Sequence, residues 1–325
     1  MMKGFKWLAL LSVMICLGVF VHNTDFAAVT ALLRKIGLRF LYLLFVTFIA
    51  YVFGSLSWWY SLGPYRKSIS ISQLFVVRHI GETLSLINPT SIVAGETAKV
   101  YLLKVTGVNR TVIIASILIS RALLVFSQLI LLLFVLVPFL FITQPLAIRI
   151  NYMWIITVLL IFALLCMCLW KFLSKSKTII GVQKALSSVI SAWRELLSYS
   201  RQAMVLAFIF AILHWVVGAF EFYLIIKFLG FDVTIIKGIL VDLGVVLFKT
   251  AGAFIPGQLG IEEYGNKTMI AVIGIQSTTL WIAASILRRS RQFFWVAVGS
   301  GAWIVLRCAA KLTDKRRNGN FIYKS

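Results

Sequence analysis

The sequence predicts an all-α fold, a polytopic bundle of transmembrane helices. Hydrophobic residues make up 61% of the 325 positions, and they fall into apolar runs too long and too numerous for one soluble core. The chain has room for about eight spans with short loops. Two of its apolar stretches are interrupted in the same way. One reads Asn88-Pro89-Thr90-Ser91-Ile92-Val93-Ala94-Gly95-Glu96, the other Ile255-Pro256-Gly257-Gln258-Leu259-Gly260-Ile261-Glu262-Glu263, so a carboxylate follows each proline by seven positions. Proline removes an amide donor and glycine costs backbone entropy, so each segment breaks a helix. Broken backbone at membrane depth survives only where protein buries it or where it lines a wet cavity.

From the N-terminus, a basic start and an apolar run from Lys3 to Asn23 form a first retained span, with a cleaved signal peptide as the alternative. Residues 25–37 read as a short amphipathic stretch ending in Arg34 and Lys35. A second span covers 38–62 and closes on Trp58, Trp59 and Tyr60, read as an interfacial anchor. Residues 70–103 are too charged to cross simply, with Arg78 and Glu82 one helical turn apart, and read as two re-entrant half helices meeting near Pro89. A surface hairpin is the alternative. Further spans fall at about 112–142, 152–172, 204–228 and 234–254, with a basic loop over 171–203. Apolar runs at about 268–287 and 292–310 then flank Arg288, Arg289 and Arg291, and a disordered basic tail follows from Lys311. This gives one transmembrane domain over 1–312, with half repeats of about 1–142 and 150–312 in an inverted arrangement, and a cytoplasmic tail at 313–325.

Thirty-two Lys and Arg against 10 Asp and Glu give a net charge of +22. The cations sit mostly in short loops, which points to topology and to anionic membrane lipids as partners. No basic soluble module exists to bind nucleic acid. The positive-inside rule puts 64–110, 171–203 and both termini in the cytoplasm, as in a multi-pass protein of the cell (inner) membrane. Arg34, Lys35 and Arg39 then fall outside, as do the 288–291 arginines unless they lie buried against acids.

Acids are scarce, and scarcity makes them informative. Asp25, Glu195, Asp232 and Asp314 fall in loops or tails, whereas Glu82, Glu96, Glu221, Asp242, Glu262 and Glu263 lie in apolar or broken segments. A carboxylate at membrane depth is costly and reads as a site residue or as the partner of a nearby cation. Cys16, Cys166, Cys168 and Cys308 have no metal-ligand spacing and read as buried apolar residues; the three histidines suggest no metal site, and no cofactor is expected.

At the two breaks the chain resembles the transmembrane region of lysylphosphatidylglycerol synthases, a flippase-like integral membrane family. The first match is Pro89, Gly95, Glu96 and Lys99, with Arg121 early in the next helix. The second is Pro256, Gly257, Leu259, Gly260 and Glu263, where Gln258 stands in place of a glycine, and Arg288 or Arg291 matches an arginine near the start of the last helix. The resemblance implies the lipid-binding or lipid-translocating part, as a stand-alone member without the aminoacyl-transferase domain, so synthase activity is not expected and no enzyme is inferred.

Half-helix N-termini attract phosphate through free amides and partial positive charge. Arg121, Lys249, Arg288 and Arg291 are the candidates to hold a phospholipid or polyprenyl-phosphate headgroup. Glu96 and Glu263 would orient those cations, bind a cationic headgroup, or simply cap the half helices. The expected mechanism is alternating exposure of a midplane polar cavity while the lipid tails stay in the bilayer. Two other readings stay open: a membrane glycosyltransferase with a polyprenyl-phosphate donor, for which the first external loop offers only Asp25, and a scaffold without transport. No motif sets the oligomeric state; a homodimer is one arrangement open to such a chain.

Overall fold

The computed structural model describes residues 26–87, 92–143, 178–252, 258 and 260–322. The expected first span, the span at 152–172, and Asn88, Pro89, Pro256 and Gly257 lie outside them. The described chain is all-α. Its helices are α1 (Phe26–Arg34), α2 (Phe40–Ser61), α3 (Ile71–Ile87), α4 (Ile92–Leu103), α5 (Arg110–Thr143), α6 (Thr178–Tyr199), α7 (Arg201–Phe228), α8 (Ile235–Ala251), α9 (Ile261–Val272) and α10 (Thr278–Ile322). Among the described residues, three segments are long and apolar enough to cross a membrane: Gly37–Ser61, Arg110–Phe139 and Arg201–Phe228.

Local chemistry sets several of these boundaries. Ser200 and Thr234 cap α7 and α8 by accepting hydrogen bonds from the amides of Ala203 and Lys237 at 3.2 and 3.4 Å. Asn109 does the same for α5, accepting from Thr111 N at 3.0 Å. The main core gathers Leu43 of α2, Phe222, Ile225 and Ile226 of α7, Val241 and Val245 of α8, and Leu280 and Ala284 of α10. A second core joins Trp58 and Leu62 of α2 to Leu74 of α3, Leu103 of α4 and Ile113 of α5.

Two triplets of helices repeat. Helices α3 and α8 have 17 residues each, and each leads across a break into a 12-residue helix, α4 or α9. Left-handed glycines, Gly107 at φ 74° and Gly274 at φ 93°, follow the two short helices, and a long helix comes next, α5 or α10. Within the first triplet, α4 lies directly on α3. A Cβ on Gly95 would collide with Ser85 Oγ and the Gly81 carbonyl, so only glycine permits the crossing. Gly95→Val is expected to lose about 1–3 kcal/mol, as overpacking does, seen as a lowered Tm in detergent; an unchanged Tm would refute the close approach.

Several expectations change. The arginines at 288–291, between two apolar runs in the sequence, lie within one continuous helix of 45 residues and face acids, the second of the two positions expected for them, and that helix continues through the segment expected to be a disordered tail. Arg288 is only 4% exposed, because acids on neighbouring helices neutralise it. The basic segment 178–199 is a helix, α6, whose Ala192 and Leu196 pack on Val112, Ala115 and Ile119 of α5. Trp58 is buried and donates to Ser116 Oγ at 3.2 Å, so it is a core residue and not an interfacial anchor. Cys308 is exposed on α10, contrary to its reading as buried.

Candidate functional site

The first triplet assembles an ionic cluster. Glu96 and Lys99 lie three residues apart on α4, hence on neighbouring positions of its surface, and their side chains meet at 3.0 Å. Because α4 crosses α3 so closely, Lys99 also reaches Glu82, at 3.3 Å. Arg121 comes in from α5. Its Nη2 donates to Glu82 Oε1 at 2.9 Å, and its Nε donates to Glu96 Oε1 at 2.9 Å. Arg78, one turn before Glu82, completes the group at 3.9 Å. Three cations therefore face two carboxylates. Lys99 is buried, with its ammonium 5.8 Å from the centre of the Trp58 ring, whereas the Arg121 side chain is 40% exposed. Trp58, Ile117, Ser120 and Leu124 line the remaining wall. Arg78 Nη1 and Glu96 Oε2 are buried without hydrogen-bond partners among the described residues, one donor and one acceptor left over.

The second triplet builds a corresponding cluster, and its charges balance. Arg288 of α10 donates to Asp242 of α8 at 2.5 Å and to Glu262 of α9 at 3.0 Å, and its guanidinium lies 4.9 Å from the centre of the Phe222 ring. Lys249 approaches Glu262 at 3.4 Å. Arg289 donates to Glu263 at 2.8 Å and to the Gln258 carbonyl at 3.1 Å. Glu263 accepts from Gly260 N at 2.8 Å, so it caps α9 as well as pairing. Asn266 donates to Ser285 Oγ at 2.8 Å and fastens α9 to α10. Three carboxylates thus meet three cations, and Asp242, Glu262 and Arg288 are all buried.

The residues singled out from the sequence therefore separate into two groups. Glu96, Lys99 and Arg121 converge, with Gly95 making room for them; Lys249, Glu262, Glu263 and Arg288 converge elsewhere, with Gly260 at the start of α9. Arg291 joins neither. It pairs with Glu221 of α7 at 2.6 Å and donates to Thr47 of α2 at 3.2 Å. No ion pair joins the two clusters among the described residues.

Sequence reasoning read Glu82, Glu221 and Asp242 as site residues or as partners of a nearby cation, without naming the partner, and gave Arg78 no site role. The signal for the three acids was present, since each interrupts an apolar run. Thr47 carries no sequence signal, because a threonine in an apolar helix ordinarily bonds its own backbone, as this one also does with Leu43 O at 2.8 Å.

Gln258 has φ 53°, the only positive φ of a non-glycine residue among those described. A side chain in the left-handed region is strained by about 1–2 kcal/mol. The resemblance stated above has glycine at this position, a residue that takes such a φ without strain.

Comparison with curated proteins and with solved structures gives no match. The family model described as the lysylphosphatidylglycerol synthase TM region matches residues 6–300, which include both ionic clusters. The chain belongs to the lysylphosphatidylglycerol synthase transmembrane-region family.

Proposed function

We propose that this membrane protein is a flippase- or translocase-like carrier that takes a phospholipid or polyprenyl-phosphate headgroup into its polar interior while the tails remain in the bilayer. The observation that carries the reading is the unequal charge of the first cluster, where Arg78, Lys99 and Arg121 face only Glu82 and Glu96. A phosphodiester would neutralise the surplus. Arg121 is the natural first contact, because its side chain is the most exposed of the group. Charge-assisted hydrogen bonds from a guanidinium to phosphate are strong and directional. Headgroup hydroxyls could serve the spare Glu96 oxygen, and the spare Arg78 donor could serve the phosphate. The balanced second cluster has no surplus to offer an anion, and its role in this reading is to hold α8, α9 and α10 together. The concentration of Lys and Arg in the segments between the apolar runs supports an inner-membrane protein with both termini cytoplasmic.

The test is direct. Purified protein is reconstituted into vesicles containing acyl-labelled phosphatidylglycerol or a labelled polyprenyl phosphate. Dithionite should then quench the inner-leaflet probe faster than in protein-free vesicles. Protein-free rates for both probes would overturn the reading.

A further inference from the structure

We infer that a groove on the far side of α4 is a docking site for an anionic phospholipid, at headgroup depth and separate from both ionic clusters. The groove has a volume of about 480 Å³ and is lined by Thr97, Val100, Tyr101 and Lys104, together with Val108 and Arg110. That volume is in the range of small-molecule sites, about 300–1,000 Å³.

Its position follows from helical geometry. Thr97, Val100, Tyr101 and Lys104 are spaced i, i+3, i+4 and i+7 and form one stripe along α4 and the 3-10 turn Lys104–Thr106 that continues it. Gly95, Lys99 and Leu103 are buried on the roughly opposite face. One short helix thus presents the ionic cluster on one side and the groove on the other. The turn at Gly107 then swings the chain round into α5, so that Val108 and Arg110 form the second wall.

Charge and depth choose the occupant. Lys104 and Arg110 are both exposed, no carboxylate lines the groove, and neither cation is in an ion pair among the described residues. Arg110 is the first residue of the membrane-spanning segment Arg110–Phe139, which sets it at the water-facing end of an apolar helix. Ile113, about one turn further into that helix, lines the groove together with Val100 and Val108, and Tyr101 is 71% exposed beside them. Two unneutralised cations beside an apolar wall fit a ligand with a net negative phosphate headgroup and an acyl chain. Each basic side chain near an anionic surface adds to lipid attraction. A free phosphate would use the cations and leave the apolar wall unused. The site does not depend on transport: a chain that moves no lipid would still hold one here.

Native mass spectrometry of the full-length protein tests this, with equal amounts of phosphatidylglycerol and phosphatidylcholine added to the detergent solution. The wild type should retain phosphatidylglycerol in preference. The double variant Lys104→Gln, Arg110→Gln should bind it at least about tenfold more weakly. Both side chains are exposed, so the fold should survive, as helical circular dichroism would show. Val108→Trp keeps both cations and fills the groove, and it should weaken phosphatidylglycerol binding as well. Millimolar inorganic phosphate should not displace the lipid. No preference in the wild type, or undiminished binding in the double variant, overturns the site. Undiminished binding in Val108→Trp overturns the groove as the seat of the acyl chain. Displacement by inorganic phosphate makes the ligand a free anion and overturns the lipid assignment.

Discussion

Arg288→Ala is expected to cost the protein a large part of its stability. The guanidinium is 4% exposed and bridges Asp242 of α8 and Glu262 of α9 from its place on α10. Removing it leaves three carboxylates against two cations, Lys249 and Arg289, and takes from the buried Asp242 its ion-pair partner. Breaking a buried pair by deleting one partner costs about 3–5 kcal/mol, a large part of the roughly 5–15 kcal/mol that a folded protein has in reserve. Thermal unfolding of the purified protein in detergent should show a collapsed Tm, and folded protein in the membrane fraction should fall sharply. Arg288→Lys should rescue only part of the loss, because an ammonium cannot reproduce the two separately directed bonds of Nε and Nη1. Adding Asp242→Asn and Glu262→Gln to Arg288→Ala removes the unpaired charges and should recover more stability than the lysine does. Wild-type Tm in the alanine variant would show that the cluster does not hold these helices.

Why the sequence could show the acids of this cluster but not its shape is a matter of distance along the chain. Hydropathy and helix breakers act locally, so α2, α5 and α7 fall close to where the apolar runs lie, and the breaks fall between α3 and α4 and between α8 and α9. A carboxylate in an apolar run is legible for the same reason. Its partner is not, because Asp242 and Arg288 are 46 residues apart and Glu221 and Arg291 are 70. Only packing brings them together. The arginines at 288–291 show the limit of reading charge locally: three cations in four positions interrupt an apolar stretch, whereas the helix runs through them because each meets a carboxylate from another element. The aromatic cluster at the end of α2 misleads in the same way, since composition cannot say that Trp58 faces Ser116. The repeated Pro-to-Glu spacing was a partial guide. What repeats in three dimensions is a larger unit, a 17-residue helix, a break, a 12-residue helix, and a long helix whose arginine reaches back to acids on both.

That repetition makes the second large effect a contrast with the first. Arg121 holds in the first cluster the place that Arg288 holds in the second, bonding an acid on each of the two preceding helices. Yet its side chain is 40% exposed against 4%, and Lys99 already bridges Glu82 and Glu96. Arg121→Gln therefore leaves two cations facing two carboxylates, a balanced cluster, and the fold should tolerate it with only a small drop in Tm. Its effect should fall on headgroup passage instead. A hydrogen bond to a charged group contributes about 1.5–3 kcal/mol, so losing the exposed guanidinium should slow labelled-lipid translocation in reconstituted vesicles by about tenfold or more. Arg121→Lys keeps the surplus charge and loses the planar fork, and it should fall between the two. Had both arginines only structural work, the two variants would fail in the same assay, by unfolding. If Arg121→Gln is folded and moves lipid at the wild-type rate, the surplus charge of the first cluster has no part in transport. If Arg121→Gln unfolds as Arg288→Ala does, the two clusters are alike in function as well as in plan.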